Sequence, residues 1–118
     1  SYNLVYVHIK GPDEYGHDGD AQGKMANIEL IDKNFFGTFL KLVTKAHVVV
    51  ISGDHSTPCI KKSHTDDPIP LLVSGNNIKS DGSQRFTESW ASKGSIGTLN
   101  GSEVISHVLK MMSAQKNN

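Results

Sequence analysis

His47, Val48, Val49, Val50, Ile51 and Ser52 form the most convincing strand in the chain. Polar and apolar residues do not alternate along it. The run therefore predicts a strand apolar on both faces, as in a parallel sheet covered by helices. A second β-branched stretch at residues 4–9 predicts another strand, stopped by Lys10, Gly11 and Pro12. Between the two, over residues 24–45, the spacing changes to three and four. Met25, Ile28, Ile31, Phe35, Phe39 and Leu42 share one face of an amphipathic helix, and Glu29, Asp32, Lys33, Lys41 and Lys45 take the other. Strand, helix and strand make a βαβ unit with a right-handed crossover. Gly37 costs that helix about 1 kcal/mol against Ala, which predicts a break or kink there.

Pro68, Ile69 and Pro70 lead into a third short strand at residues 71–74, ended by Gly75, Asn76 and Asn77. The polar stretch at residues 79–101 carries turn signals at Asp81-Gly82, Lys93-Gly94 and Asn100-Gly101, with Phe86, Trp90 and Ile96 expected to pin it down. A last helix is predicted from an N-cap at Ser102, with Val104, Ile105, Val108, Leu109 and Met112 facing inward. Residues 113–118 are expected to fray. The predicted class is α/β, a mostly parallel sheet flanked by helices, as one domain over residues 1–118.

With 118 residues the chain can build a single core. Twelve basic residues balance twelve acidic ones, which argues against a nucleic-acid partner or an acidic membrane surface. No apolar run approaches the ~20 residues that cross a bilayer, and no secretory leader is visible. Cys59 is the one cysteine, so a reducing, cytoplasmic setting is expected. It reads as a packed or half-exposed thiol rather than a ligand. The opening Ser1-Tyr2-Asn3, running at once into a strand, suggests a chain cut from something longer. A truncated parallel sheet leaves an edge uncovered, which predicts self-association or marginal stability.

Five side chains stand out as metal ligands: Asp13, His17, Asp54, His55 and His64. Asp13 and His17 lie four apart in a loop rich in Gly and acidic residues; in a helical turn that spacing puts both on one side, although solvation alone would also account for them. Asp54 and His55 directly follow the strand ending at Ser52, where open α/β sheets place their binding sites. Gly53 allows a sharp turn there; the alternative is an Asp that caps the turn beside an exposed His. His64 alone would be solvent-facing. With the others it completes two His and a carboxylate with open positions, a catalytic arrangement and not a closed structural one. Asp and neutral imidazole suit Mn²⁺ or Zn²⁺, and the absence of clustered thiolates argues against a structural zinc knuckle. Imidazole ligates only when neutral, so affinity should fall as pH drops through the histidine range. His8, His47 and His107 are assigned core, edge and surface roles. Two ions ~4 Å apart clamping a phosphoryl oxygen would need further carboxylates or a hydroxyl from elsewhere.

Three ordered motifs carry a resemblance: Asp13-Glu14-Tyr15-Gly16-His17-Asp18-Gly19-Asp20, Ser52-Gly53-Asp54-His55-Ser56-Thr57-Pro58 and His64-Thr65-Asp66-Asp67-Pro68-Ile69-Pro70. The chain resembles the C-terminal part of the cofactor-independent phosphoglycerate mutases of archaeal type, within the alkaline phosphatase superfamily. Phe86-Thr87-Glu88 and Gly94-Ser95-Ile96-Gly97 also fit that pattern. The resemblance implies a partial alkaline-phosphatase-like core with two divalent ions (Mn²⁺, Zn²⁺ or Mg²⁺). Asp13, His17 and His64 would hold one ion, and Asp54 with His55 the other. It implies interconversion of 2- and 3-phosphoglycerate through a phosphoserine whose serine belongs to an upstream segment. Ser52, Ser56 and Ser63 do not match that nucleophile's motif, and Arg85 is the chain's one arginine, so the substrate-gripping arginines are expected elsewhere. These 118 residues alone are accordingly expected to be inactive. Alternatives are a phosphopentomutase, phosphodiesterase or phosphatase sharing the metal core, or a non-enzymatic domain binding a hard cation such as Ca²⁺ around Asp18 and Asp20.

Overall fold

A computed structural model describes residues 2–75 and 77–114. It divides into two compact units, Ser1–Leu42 with Ser56–Asp66, and Val43–His55 with Asp67–Asn118.

The first unit is helical. Helix α1 (Gly11–Asp18) occupies the segment read as a loop. Its start and stop signals are complete: Pro12 in the first turn, Asp13 and Glu14 beside the positive end of the dipole, His17 in the last turn, and Gly19 in the left-handed region (φ 75°) as C-cap. Those signals outweigh the low helix propensity of Gly11 and Gly16. Helix α2 (Ala21–Leu30) is capped by Asp20, whose carboxylate accepts the Gly23 N–H at 2.9 Å. The predicted long helix then changes pitch through a π-helical stretch, Ile31–Phe36, before α3 (Gly37–Leu42). The expected break is therefore a widened turn ahead of Gly37, whose N–H reaches the Asp32 carbonyl. Phe35 stacks on Phe39 at 5.4 Å, and Phe36 meets Phe35 edge-on at 5.1 Å. Ile31, Phe35 and Phe39 are half-buried as the spacing predicted, whereas Met25, Ile28 and Leu42 of the same face are exposed.

The second unit holds the sheet. Strands β1 (Val48–Ser52) and β2 (Leu71–Gly75) lie where the sequence placed them, but they pair antiparallel, from Val48 opposite Gly75 to Ser52 opposite Leu71. The expected mostly parallel sheet is thus corrected: the ladder among the described residues has two strands and one antiparallel pairing. A parallel return needs a crossover, usually helical, and none of the residues between β1 and β2 is helical. Nor is β1 buried on both faces, since Val50 is 39% exposed. Residues 4–9, also expected to be a strand, form no ladder and are exposed, His8 among them, so its predicted core role is not met. Continuous apolar composition says both faces can be covered; it does not supply the cover.

Helix α4 (Glu88–Ala91) is capped by Thr87. A 3-10 turn, Gly101–Glu103, leads into α5 (Val104–Ser113), whose entry is fastened by the Asn100 N–H on the Glu103 carboxylate at 2.8 Å and not by Ser102. Of the predicted inward face of α5, Val108 is buried, while Ile105, Leu109 and Met112 are exposed. His107 on that helix is half-buried, not on the surface, and His47 lies exposed just ahead of β1. Residues 115–118 of the predicted frayed tail, and Asn76 of the turn after β2, lie outside the described residues. Val5, Tyr6, Leu42 and Ile60 are exposed apolar side chains.

Of the three residues expected to pin the polar stretch, Phe86 and Trp90 are exposed and Ile96 is half-buried. Asp81 ties that stretch. Its carboxylate accepts the Ser95 N–H at 2.8 Å and the Ser83 N–H at 3.1 Å. The Ser95 amide foremost, then the Ser83 hydroxyl and amide, hold this carboxyl at about 2, below its ordinary 3.8. A lowered folded pKa means the tie is fully present above the ordinary carboxylate range and is lost as pH falls through about 2. The Ser95 amide resonance should accordingly move as pH falls below 4, with a midpoint of about 2, and Asp81→Asn should abolish the transition. A midpoint at or above 3.8 would contradict the tie.

Candidate metal centre

Helix α1 carries Asp13 on its first turn and His17 one turn later, so both project from one side. His64 comes from the 56–65 loop of the same unit, which is closed by an antiparallel bridge between Ser56 and Thr65. Loop and helix bring three ligand atoms together. His17 Nε2 and His64 Nε2 are 3.2 Å apart, and Asp13 Oδ1 lies 3.4 Å from the first and 3.5 Å from the second. Ligands about 2.0–2.1 Å from a tetrahedral ion stand roughly 3.3–3.4 Å from one another. The three donors therefore fit one divalent cation by both spacing and chemistry. They are half-exposed, which leaves room for a further oxygen ligand.

His17 Nδ1 faces the Lys62 carbonyl at 3.3 Å. A carbonyl only accepts, so the bond puts the proton on Nδ1 and leaves the Nε2 lone pair aimed at the cluster. Lys62 has φ 53°, the one positive value outside glycine among the described residues. That left-handed conformation is costly for a lysine and occurs beside the site, where such strain tends to be kept. Asp13 has a partner too: the buried Thr57 donates its hydroxyl to Asp13 Oδ1 at 2.6 Å. The Thr57 carbonyl in turn accepts from Lys24 Nζ at 2.8 Å.

Asp54 and His55 belong to the second unit, just past β1. Asp54 Oδ1 accepts the His55 N–H at 3.0 Å, the turn-capping bond weighed above, while Asp54 Oδ2 sits 3.5 Å from His55 Nε2. That carboxylate oxygen and imidazole nitrogen have the same separation as the donors of the first cluster. Cys59 is half-buried, with its thiol 3.8 Å from the Tyr15 carbonyl, and is not in the cluster. His47 accepts from the Thr44 N–H at 3.0 Å, a local turn contact. Thr57, Lys24 and Lys62 escaped the sequence reading because none belongs to a ligand type and their spacing carries no period.

Comparison with known proteins gives three results. The family model described as Metalloenzyme superfamily matches residues 1–111. Among curated relatives, the 2,3-bisphosphoglycerate-independent phosphoglycerate mutase of Pyrococcus abyssi is 36% identical over 111 residues, covering 94% of this chain and 27% of that protein. The enzyme of the same name from Aeropyrum pernix is 40% identical over 104 residues, 86% of this chain and 24% of its own length. A solved structure of a Pyrococcus horikoshii protein superposes with TM-score 0.89 at 36% identity, covering 95% of this chain and 34% of that one. The chain spans about a quarter of the length of the curated relatives it matches.

Proposed function

Since the chain belongs to the Metalloenzyme superfamily, we propose that it supplies the metal-holding part of a phosphoglycerate mutase that interconverts 2- and 3-phosphoglycerate. The observation that carries this reading is the trio of donor atoms 3.2–3.5 Å apart, built from two of the motifs on which the resemblance rests. Asp13, His17 and His64 hold one divalent ion; Asp54 and His55 contribute to a second. Mn²⁺ and Zn²⁺ suit this donor set best.

When bound, the two cations neutralise charge on the phosphoryl group being transferred. The residues of this chain fix where that charge sits. Asp13 brings the one anionic donor of its cluster and the imidazoles add none, so with a divalent ion held there the cluster would keep a net positive charge for a phosphoryl oxygen. The Lys62 carbonyl keeps His17 in the ligating tautomer. The nucleophilic serine and the groups that grip the glycerate lie outside these 118 residues. No helix among the described residues is long and apolar enough to cross a membrane. As a phosphoglycerate mutase the protein would work in the cytoplasm, where its phosphorylated substrate is found.

A segment exchange tests this. These residues would replace the matching 27% of the Pyrococcus abyssi enzyme, with folding followed by circular dichroism. Isomerisation of 3-phosphoglycerate is expected in the presence of Mn²⁺, and Asp54→Asn should reduce it at least a hundredfold. A folded, Mn²⁺-binding chimera without isomerase turnover would defeat the mutase reading; turnover confined to phosphate-ester hydrolysis would point to a phosphatase. The 118-residue chain by itself should bind metal and show no turnover.

A further inference from the structure

We propose that Thr57 is a positioning residue for the Asp13–His17–His64 cluster, aiming the Asp13 carboxylate through its hydroxyl and itself held in place by Lys24. The inference rests on the metal reading above and extends it to side chains that do not ligate.

Thr57 is the buried polar side chain of the described residues, at 4% exposure. A hydroxyl buried to that degree needs a partner, and its partner is the ligand atom itself: Thr57 Oγ1 donates to Asp13 Oδ1 at 2.6 Å, while the same oxygen faces the two imidazole nitrogens. A carboxylate oxygen has two lone pairs in the carboxyl plane. With one spent on Thr57, the other points toward the histidines, so rotation about the Asp13 side chain is restricted to the ligating geometry. Without that bond a half-exposed carboxylate on a first helical turn has several rotamers open to it.

The donor is anchored in its turn. Lys24 Nζ, from α2, donates to the Thr57 carbonyl at 2.8 Å. Gly16 of α1 lies directly against Thr57. Two helices thereby fix the residue between the Asp54-His55 and His64 motifs. The series runs Lys24 to Thr57 to Asp13, and outer-shell partners of this kind typically change metal affinity 10- to 100-fold when removed.

The test titrates Zn²⁺ calorimetrically into the 118-residue chain and reads the visible spectrum of the Co²⁺ form. Thr57→Val keeps the shape and removes the hydroxyl; Thr57→Ser keeps the hydroxyl. Thr57→Val should bind Zn²⁺ 10- to 100-fold more weakly and alter the Co²⁺ bands, with Thr57→Ser within about threefold of wild type. Equal Zn²⁺ affinity in folded Thr57→Val, or an equal loss in Thr57→Ser, would overturn the proposal. Should Thr57→Val fail to fold, Lys24→Met decides. Removing a positive charge near a cation site raises affinity on electrostatic grounds alone. A fall of about threefold or more therefore supports positioning, and an unchanged or higher affinity refutes it. Absence of Zn²⁺ binding in the wild-type chain would instead remove the metal reading underneath.

Discussion

His64→Ala should weaken Zn²⁺ binding by the 118-residue chain by at least a hundredfold, the largest effect expected of any single substitution in the first unit. The cluster has three protein donors, and His64 is the one contributed by the 56–65 loop. Its loss leaves Asp13 and His17, an i,i+4 pair on one helix turn, which is a weak chelate. Loss of a direct ligand should exceed the 10- to 100-fold typical of an outer partner. The His64 side chain is 53% exposed, so the metal-free protein should lose little stability. Isothermal titration alongside thermal melts in chelator separates the two effects. A loss under tenfold would mean that the three atoms 3.2–3.5 Å apart are an unmetallated polar cluster.

Gly16→Ala should damage folding and metal affinity together. In an ordinary helix interior the change stabilises by about 1 kcal/mol. Here a Cβ would overlap the Thr57 carbonyl oxygen and stand 2.9 Å from its methyl group. The first is a backbone atom that cannot swing away, so α1 must withdraw from the 56–65 loop, at a cost of about 1–3 kcal/mol. Asp13 and His17 travel with that helix while His64 stays with the loop. The expected result is a lower denaturation midpoint and a Zn²⁺ affinity reduced at least tenfold, measured on the same preparations. A stabilised Gly16→Ala protein would show that the close approach of helix and loop is not what the geometry indicates.

The pairing of Asp13 with His17 was legible locally, from a four-residue spacing, whereas His64, 47 positions beyond His17, was joined to them at one ion only through the resemblance. The positions of β1, β2 and α5 were legible locally too, from composition and punctuation. Strand direction was not. The run at residues 47–52 has the composition of a strand covered on both faces, yet its pairing partner follows an irregular connection, and the pairing is antiparallel. Residues 4–9 show the same limit, since β-branched side chains favour a ladder but cannot form one without a partner. Helix α1 was hidden by its two glycines, whose cost the cap residues outweigh. Thr57 stood inside one of the motifs with its role hidden, because what a hydroxyl does depends on which carboxylate the fold delivers to it.

Helix α1 and the 56–65 loop meet across a long stretch of chain, with 47 positions separating His17 from His64. A cation gripped by both would act as a cross-link, removing chain entropy from the unfolded ensemble much as a disulfide does, by about 4 kcal/mol for a loop of that length. Chelators would then loosen the polypeptide itself, and resistance to proteolysis would track metal supply even where no substrate is turned over.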